Sequence, residues 1–337
     1  MVDRFIKPTQ VEEADIENSL RPKTIEEFIG QEEIKSNLRV FIDATKKRNE
    51  PLDHVLIYGP PGLGKTTLAY IIASELNATI KGTSGPAIEK KGELTGLLTD
   101  LEDKSVFFID EIHRLNPMIE EILYPAMEDF EFDIVIGKGP GARSVKITVS
   151  PFTLVGATTR AGMLTSPLRE RFGIVFKLQF YNYEEIKKII FRSANILGVK
   201  IDEKGADIIA RRSRGTPRVA NRLLRRTKDF AEILGDGSIT EKIAIEAMRR
   251  LDIDEEGLTS EIREYLKTII EKYSTGPVGL KTLAISIGES EDTIEDIYEP
   301  ILIQKGFIKR TPSGRKATEI ACKFLGYNIT KDQTDIF

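Results

Sequence analysis

His54-Val-Leu-Ile-Tyr58 runs directly into Gly59-Pro-Pro-Gly-Leu-Gly64-Lys65-Thr66-Thr67, and an apolar helical pattern continues to Leu76. Strand, glycine loop and helix in that order match G-x-x-x-x-G-K-[ST] in the context the motif demands. The physics is local. Glycines let successive backbone N–H groups turn inward onto phosphate oxygens, and the helix start after Gly64 adds its dipole. Gly59, Gly62, Gly64, Lys65, Thr66 and Thr67 are therefore the expected nucleotide contacts. Lys65 supplies a mobile charge for the β- and γ-phosphates, and the Thr66 hydroxyl can ligate Mg²⁺. A glycine-rich turn without a ligand is the alternative, and the complete pattern in its proper context argues against it.

Further along, the apolar run Val106-Phe-Phe-Ile109 ends in Asp110-Glu111. A carboxylate at a strand end can hold Mg²⁺ through water, and a following glutamate can polarise an attacking water as general base. The same pair could merely cap a helix. Its partnership with the lysine loop favours chemistry. No Asn-Lys-x-Asp guanine motif occurs, so ATP is the expected nucleotide. The intervening Thr79–Thr83 run leaves room for an extra strand between the two motif strands.

Phe152–Thr158 and Ile174–Leu178 read as two more strands. Near-continuous apolar strands alternating with helices predict an α/β domain, a parallel sheet with helices on both faces. Within it, Phe132-Asp-Ile-Val-Ile136 and Ser144-Val-Lys-Ile-Thr148 flank Gly137-Lys-Gly-Pro-Gly141, which predicts an inserted β-hairpin over 131–148. After Tyr183 the pattern is helical only: Glu184–Leu197, Lys204–Arg214, Pro217–Leu234 and Thr240–Leu251 make a compact all-α lid. Past the acidic Asp252–Gly257 segment come helices at Thr259–Tyr273, Leu280–Ile287 and Ser290–Gln304, then a hairpin and helix over Gly306–Leu325. That order is a winged-helix domain. The expected divisions are an N-terminal arm 1–20, a large ATPase domain 21–182, a lid 183–254 and a winged-helix domain 255–337.

Composition narrows the class. The 337 residues carry 49 Lys plus Arg against 53 Asp plus Glu, a net charge of −4. A nucleic-acid binder usually has a basic footprint, so here any such footprint must be segregated. Cys322 alone cannot form an intramolecular disulfide, which points to a reducing, cytoplasmic setting. With His54, His113 and Cys322 the only soft ligands, the sequence argues strongly against an N/S zinc site. No run reaches the ~18–20 apolar residues of a membrane span. Met1–Leu20, with Asp3, Glu12, Glu13, Asp15 and Glu17, reads as an acidic arm and not as a signal peptide.

Taken in order, Gly59–Thr67, Asp110-Glu-Ile-His-Arg-Leu115, Gly156-Ala-Thr-Thr-Arg160, Pro167-Leu-Arg-Glu-Arg-Phe-Gly173 and Gly215-Thr-Pro-Arg218 resemble the AAA+ ATPases. More closely they resemble the RuvB family of bacterial Holliday-junction branch-migration motors, from about Leu20 to Leu325. The resemblance implies an ATP-driven motor that pumps duplex DNA and migrates four-way junctions in recombination and DNA repair. It implies that Thr159 senses the γ-phosphate. Thr158 competes for that role, because adjacent strand residues face opposite sides. Arg171 resembles the finger that reaches a neighbouring subunit's γ-phosphate, with Arg169 the alternative; a guanidinium suits the task by its permanent charge and planar fork. A shared site implies a ring, by analogy a hexamer. Arg218 resembles a second sensor, and Leu20, Arg21, Pro22, Ile29, Gly30 and Tyr181 resemble positions around adenine and ribose. The other seven basic residues between Ile208 and Lys228 read as a solvated face.

Between Pro300 and Leu325 six basic residues face one acidic, Glu319. Thr311-Pro-Ser-Gly314 is a tight turn with Arg310 and Arg315 at its shoulders, the expected phosphate contacts on DNA. The preceding Ser290–Glu299 stretch is acidic, so base reading by that helix is disfavoured. In the inserted hairpin, Ile134, Val135, Ile136, Val145 and Ile147 form an apolar set that either packs on its own domain or meets a partner. The resemblance favours a partner, a RuvA-like junction-binding protein, and leaves room for a junction resolvase. Two other functions compete: a protein remodeller or clamp-loader subunit with the same ATP site, and a DNA-binding regulator that uses ATP as a switch. The basic wing weighs against the first and Glu111 against the second.

Overall fold

The computed structural model describes residues 17–136 and 143–327. The acidic arm over 1–16, the glycine tip of the hairpin at 137–142 and residues 328–337 lie outside the described residues. The chain divides into two compact units that part between Tyr181 and Asn182.

In the first unit, α1 (Glu32–Arg48) precedes β1 (Val55–Tyr58), the glycine loop and α2 (Lys65–Leu76). Then come β2 (Ile80–Ser84), α3 (Lys91–Thr99), β3 (Ser105–Asp110), α4 (Pro117–Glu128), the hairpin β4 (Glu131–Ile136) and β5 (Arg143–Thr148), β6 (Phe152–Thr158), α5 (Ser166–Glu170) and β7 (Ile174–Lys177). The five sheet strands run parallel in the order β2-β3-β6-β1-β7. The five strands expected from the sequence are therefore present, with one difference in placement. It is β6, not β2, that separates the two motif strands β1 and β3. Burial explains this. Every residue of β6 is buried, whereas β2 is half-exposed along its length, and the strand that is apolar on both faces takes the centre.

α4 is capped by Asn116, whose side chain accepts the Met118 N–H at 3.0 Å, and its apolar face (Ile119, Ile122, Leu123, Ala126) packs into the core. The hairpin that follows is partly docked. Phe132 is buried, and Ile134 and Ile147 pack against the same core, while Val145 stays exposed. The described members of the apolar set thus split between their own domain and solvent, where the sequence offered one or the other. Burying Phe132 contributes about 2–3 kcal/mol.

The second unit begins with α6 (Tyr183–Ile196), α7 (Glu203–Arg212), α8 (Pro217–Leu234) and α9 (Glu241–Arg250), the all-helical lid. α10 (Ser260–Lys272), α11 (Leu280–Ile287), a helical run over 291–304, the antiparallel pair β8 (Ile308–Thr311) and β9 (Gly314–Ala317), and α12 (Glu319–Phe324) complete a winged helix with its own apolar core. The run over 291–304, expected as one helix, contains a π-wound turn at Ile294–Tyr298. Pro300 lies just beyond it; proline has no N–H for the i→i−4 bond, so the ladder there re-pairs over a wider turn. Among the described residues no helix is long and apolar enough to cross a membrane.

Candidate active site

The loop after β1 owes its shape to glycine. Gly59 has φ 148°, and a Cβ there would stand 2.6 Å from the Leu178 carbonyl oxygen; Gly64, which opens α2, has φ 100°. Lys65 is buried, and its ammonium donates to the loop carbonyls of Gly59 at 2.8 Å and Pro60 at 3.0 Å. The loop is braced from behind. Tyr181 is buried and donates to the Leu63 carbonyl at 3.1 Å, and the Phe28 ring lies where a Cβ on Gly64 would meet it at 3.2 Å. Leu20 is buried and Arg21 and Ile29 are half-buried.

Parallel pairing brings the strand ends of β3 and β6 to the same edge. Thr66 Oγ1 donates to Asp110 Oδ2 at 3.2 Å, and Asp110 Oδ1 accepts the Glu111 N–H at 3.0 Å. A hydroxyl and a carboxylate converging in this way fit a hard dication such as Mg²⁺, which fills its shell with water and substrate oxygens. Among the described residues no group of three or more His, Cys, Asp or Glu forms an all-protein metal cage. Glu111 itself is left-handed, φ 49° and ψ 42°, turning the chain sharply from β3 into a 3₁₀ turn at Ile112–Arg114. Such backbone costs on the order of 1–3 kcal/mol and persists only where the surroundings enforce it. Gly85, after β2, permits it: a Cβ there would stand 2.5 Å from the Glu111 carbonyl oxygen.

The two threonine candidates separate cleanly. Thr158 is fully buried, and its hydroxyl lies 2.9 Å from His113 Nδ1 and accepts the Arg160 N–H at 3.0 Å. Thr159 is half-buried and its hydroxyl reaches to 3.5 Å from Glu111 Oε2. His113 Nδ1 lies 3.3 Å from that same oxygen, with its side chain 5% exposed. Gly85, Phe28 and His113 carry geometry that sequence reasoning missed. Each had a local signal, in Gly85-Pro86 at the end of a strand, Phe28 beside Ile29-Gly30, and His113 two residues past Glu111.

Arg171 closes α5, and its guanidinium engages Pro167, Tyr124 and Glu128; Arg169 is exposed. Arg218 stands exposed at the first turn of α8 in the second unit. In the basic stretch before it, Arg214 is held below its usual pKa, at about 10, by burial first and then by the charge of Arg222.

At the wing, the register pairs Arg310 with Arg315 and Lys309 with Lys316. Both arginines pair with Glu299, which is fully buried, while the Arg310 side chain stays 48% exposed. Arg310 Nε reaches Oε2 at 2.6 Å, Arg315 Nε reaches Oε1 at 2.7 Å, and Tyr265 donates to Oε1 at 2.9 Å. Arg315 Nη2 also meets Glu295 at 2.8 Å. Part of the acidic helix is thus the counter-charge of the wing. Lys309 and Lys316 lie on the exposed face.

A parallel sheet ordered with its acidic strand β3 beside β6, a lysine loop at a helix N-terminus, a helical lid and a winged helix together define a AAA+ P-loop ATPase. Residues 20–178 match the family model of the Holliday junction DNA helicase RuvB P-loop domain, 181–254 that of the RuvB AAA lid domain, and 255–326 that of the RuvB C-terminal winged helix domain. The chain belongs to the RuvB family. The solved structure of the Thermotoga maritima RuvB Holliday junction branch migration motor is similar at 51% identity, covering 93% of this chain and 100% of that one, with TM-score 0.86. A point mutant of the same protein is similar at 52% identity, covering 92% and 100%, with TM-score 0.86.

Proposed function

We propose that this chain is the motor subunit of a homo-oligomeric ring, by analogy a hexamer, that hydrolyses ATP to pump duplex DNA and drive branch migration at four-way junctions. The observation that carries this is the convergence of Thr66, Asp110, Glu111 and Thr159 beside the lysine loop, in a chain that ends in a winged helix.

The backbone N–H groups from Gly59 to Gly64, with Thr67, bind the phosphates at the start of α2. Lys65 exchanges the Gly59 and Pro60 carbonyls for β- and γ-phosphate oxygens. Thr66 and Asp110 hold Mg²⁺, which when bound neutralises phosphate charge. Glu111 accepts the proton of the attacking water, whose oxygen bonds to the γ-phosphorus as the bond to ADP breaks. Thr159 contacts the γ-phosphate and distinguishes ATP from ADP. Arg171 of one subunit stabilises charge developing in its neighbour's site. Leu20, Arg21, Ile29 and Tyr181 surround the base and ribose, and Arg218 ties lid position to nucleotide state.

DNA contact falls to the wing, through Arg310 and Arg315 at its tip and the outward lysines beside them. The exposed side of the hairpin over 131–148 takes a RuvA-like junction-binding partner, and a junction resolvase is a further candidate on the assembled complex. The test is ATP-dependent dissociation of a four-way junction, with and without a four-way-junction-binding protein. Dissociation stimulated by that protein is expected. No dissociation, with DNA-stimulated ATPase intact, would redirect the motor to a protein substrate.

A further inference from the structure

Arg171 is firmly engaged within its own protomer. Its guanidinium carbon lies 4.6 Å from the centroid of the Tyr124 ring, Nη1 donates to the Pro167 carbonyl at 2.8 Å, and Nη2 lies 3.1 Å from Glu128 Oε1. Nε is buried with no partner among the described residues. Tyr124 is itself locked. Its hydroxyl donates to Glu120 at 2.7 Å and lies 3.1 Å from the Thr165 hydroxyl, which also donates to Glu120, at 2.6 Å. Glu120 is 3% exposed, so two hydroxyls converge on one buried carboxylate and give the ring a single orientation. Burial foremost raises the phenol's pKa above the usual range; the Thr165 hydroxyl and the Arg171 charge oppose the shift and the Glu120 carboxylate adds to it.

We propose that Tyr124 is the positioning residue for Arg171. Its ring face is the platform that holds the guanidinium plane at the protomer surface, and Glu128 is a stand-in anion that a neighbouring γ-phosphate displaces. The proposal rests on Arg171 acting in trans. A ring face suits the task because it orients the guanidinium without consuming any of its N–H donors. Glu128 suits displacement, because its side chain is 55% exposed and a screened pair of that kind holds weakly. α4, which carries Tyr124 and Glu128, passes through only Asp129 and Phe130 before β4 begins, so platform and hairpin share one continuous stretch.

The experiment compares Tyr124→Ala, Tyr124→Phe and Arg171→Ala in the full chain, each alone and mixed with excess Glu111→Gln. The last supplies an intact Arg171 but hydrolyses slowly. Tyr124→Ala is expected to lower kcat roughly ten- to hundred-fold, with KM for ATP changed by less than about two-fold. Tyr124→Phe keeps the ring face and should stay within about three-fold of wild type. Glu111→Gln subunits should restore turnover to both Arg171→Ala and Tyr124→Ala, because each retains its own ATP site and lacks only a neighbour's finger. Rescue of Arg171→Ala without rescue of Tyr124→Ala would overturn the positioning role while leaving the shared site intact. So would full activity in Tyr124→Ala alone, or Tyr124→Phe as slow as Tyr124→Ala. Failure to rescue Arg171→Ala would overturn the shared site itself, and the proposal with it.

Discussion

Gly85→Ala is the substitution that most directly tests how Glu111 is held. The added Cβ would stand 2.5 Å from the Glu111 carbonyl oxygen and 3.3 Å from both the Glu111 carbonyl carbon and the Leu115 N. Ordinary contact needs about 1 Å more than the shortest of these. All three atoms are backbone, so no flexible side chain can absorb the shortfall. Either β2 or the Glu111 turn must move. A shift of about 1 Å in a general base costs on the order of 10²-fold in kcat, or about 2.7 kcal/mol of transition-state stabilisation. Overpacking adds a stability loss of about 1–3 kcal/mol. Lys65, Thr66 and Thr67, the proposed nucleotide contacts, lie on α2 and are untouched, so ATP affinity should hold. The assay is steady-state ATPase with nucleotide affinity by titration and Tm by calorimetry. Gly92→Ala, in α3 with nothing within 4 Å of the new Cβ, is the control and should be neutral or stabilising. Wild-type kcat in Gly85→Ala would refute the claim that close backbone packing sets the Glu111 position.

Lys65→Ala should abolish ATP binding and turnover, whereas Glu111→Gln should retain binding and lose hydrolysis by about 10²-fold or more, separable by equilibrium binding and single-turnover assays. Glu299→Gln should destabilise the winged helix by about 3 kcal/mol in denaturant unfolding, because Arg310 and Arg315 lose the full charge of a buried partner; an unchanged midpoint would contradict the clamp. His54 gives a pH signature. Its Nδ1 accepts the Leu154 N–H at 2.9 Å and its Nε2 donates to the Met127 carbonyl at 2.9 Å, and burial pushes its pKa below the ordinary 6.5, against smaller opposing effects of Met127 and Asp53. Below pH 6.5 the unfolded chain takes a proton that the folded one resists, so this stability is full above that pH and falls as pH drops toward the folded pKa, by at most about 1.4 kcal/mol per unit. His54→Asn should flatten that part of the Tm–pH curve, and an identical slope in the variant would remove His54 as its source.

The parallel sheet, lid and winged helix were legible because each rests on local periodicity: continuous apolar runs for β1, β3 and β6, and helical spacing after Tyr183. The lysine loop was legible because its chemistry demands contiguous residues. Strand order was not, since Thr79–Thr83 and Phe152–Thr158 are equally β-prone. Only the two-sided burial of β6 places it between the motif strands. Which of Thr158 and Thr159 approaches Glu111 directly was not legible, because period alone carries no sign. The Tyr124–Glu120–Thr165 lock was out of reach for another reason. Glu120 and Tyr124 share a helix face, but Thr165 joins them from a different element, and nothing in one sequence announces that meeting.

The wing shows how a charge count and a charge distribution can part. Its six cations against one anion put Arg310 and Arg315 at the wing's tip, and both also engage the buried Glu299, with Arg315 meeting Glu295 as well. Side-chain alternation then puts Lys309 and Lys316 on the opposite face of the wing, directly across from one another. Like charges in that register repel by a few tenths of a kcal/mol up to about 1 kcal/mol, a cost that a phosphate lying between them would relieve. The two pairs should therefore separate on mutation. Lys309→Ala with Lys316→Ala should reduce the salt dependence of DNA binding by a slope of about 2 without changing Tm. Arg310→Ala with Arg315→Ala should lower Tm, because it strands the buried Glu299 carboxylate. If the lysine pair leaves the salt slope intact, phosphate contact does not run through the outer face of the wing. A few phosphates per subunit is a weak grip. On a chain of net charge −4 such a grip becomes effective when several subunits share one duplex, since each added contact is then intramolecular.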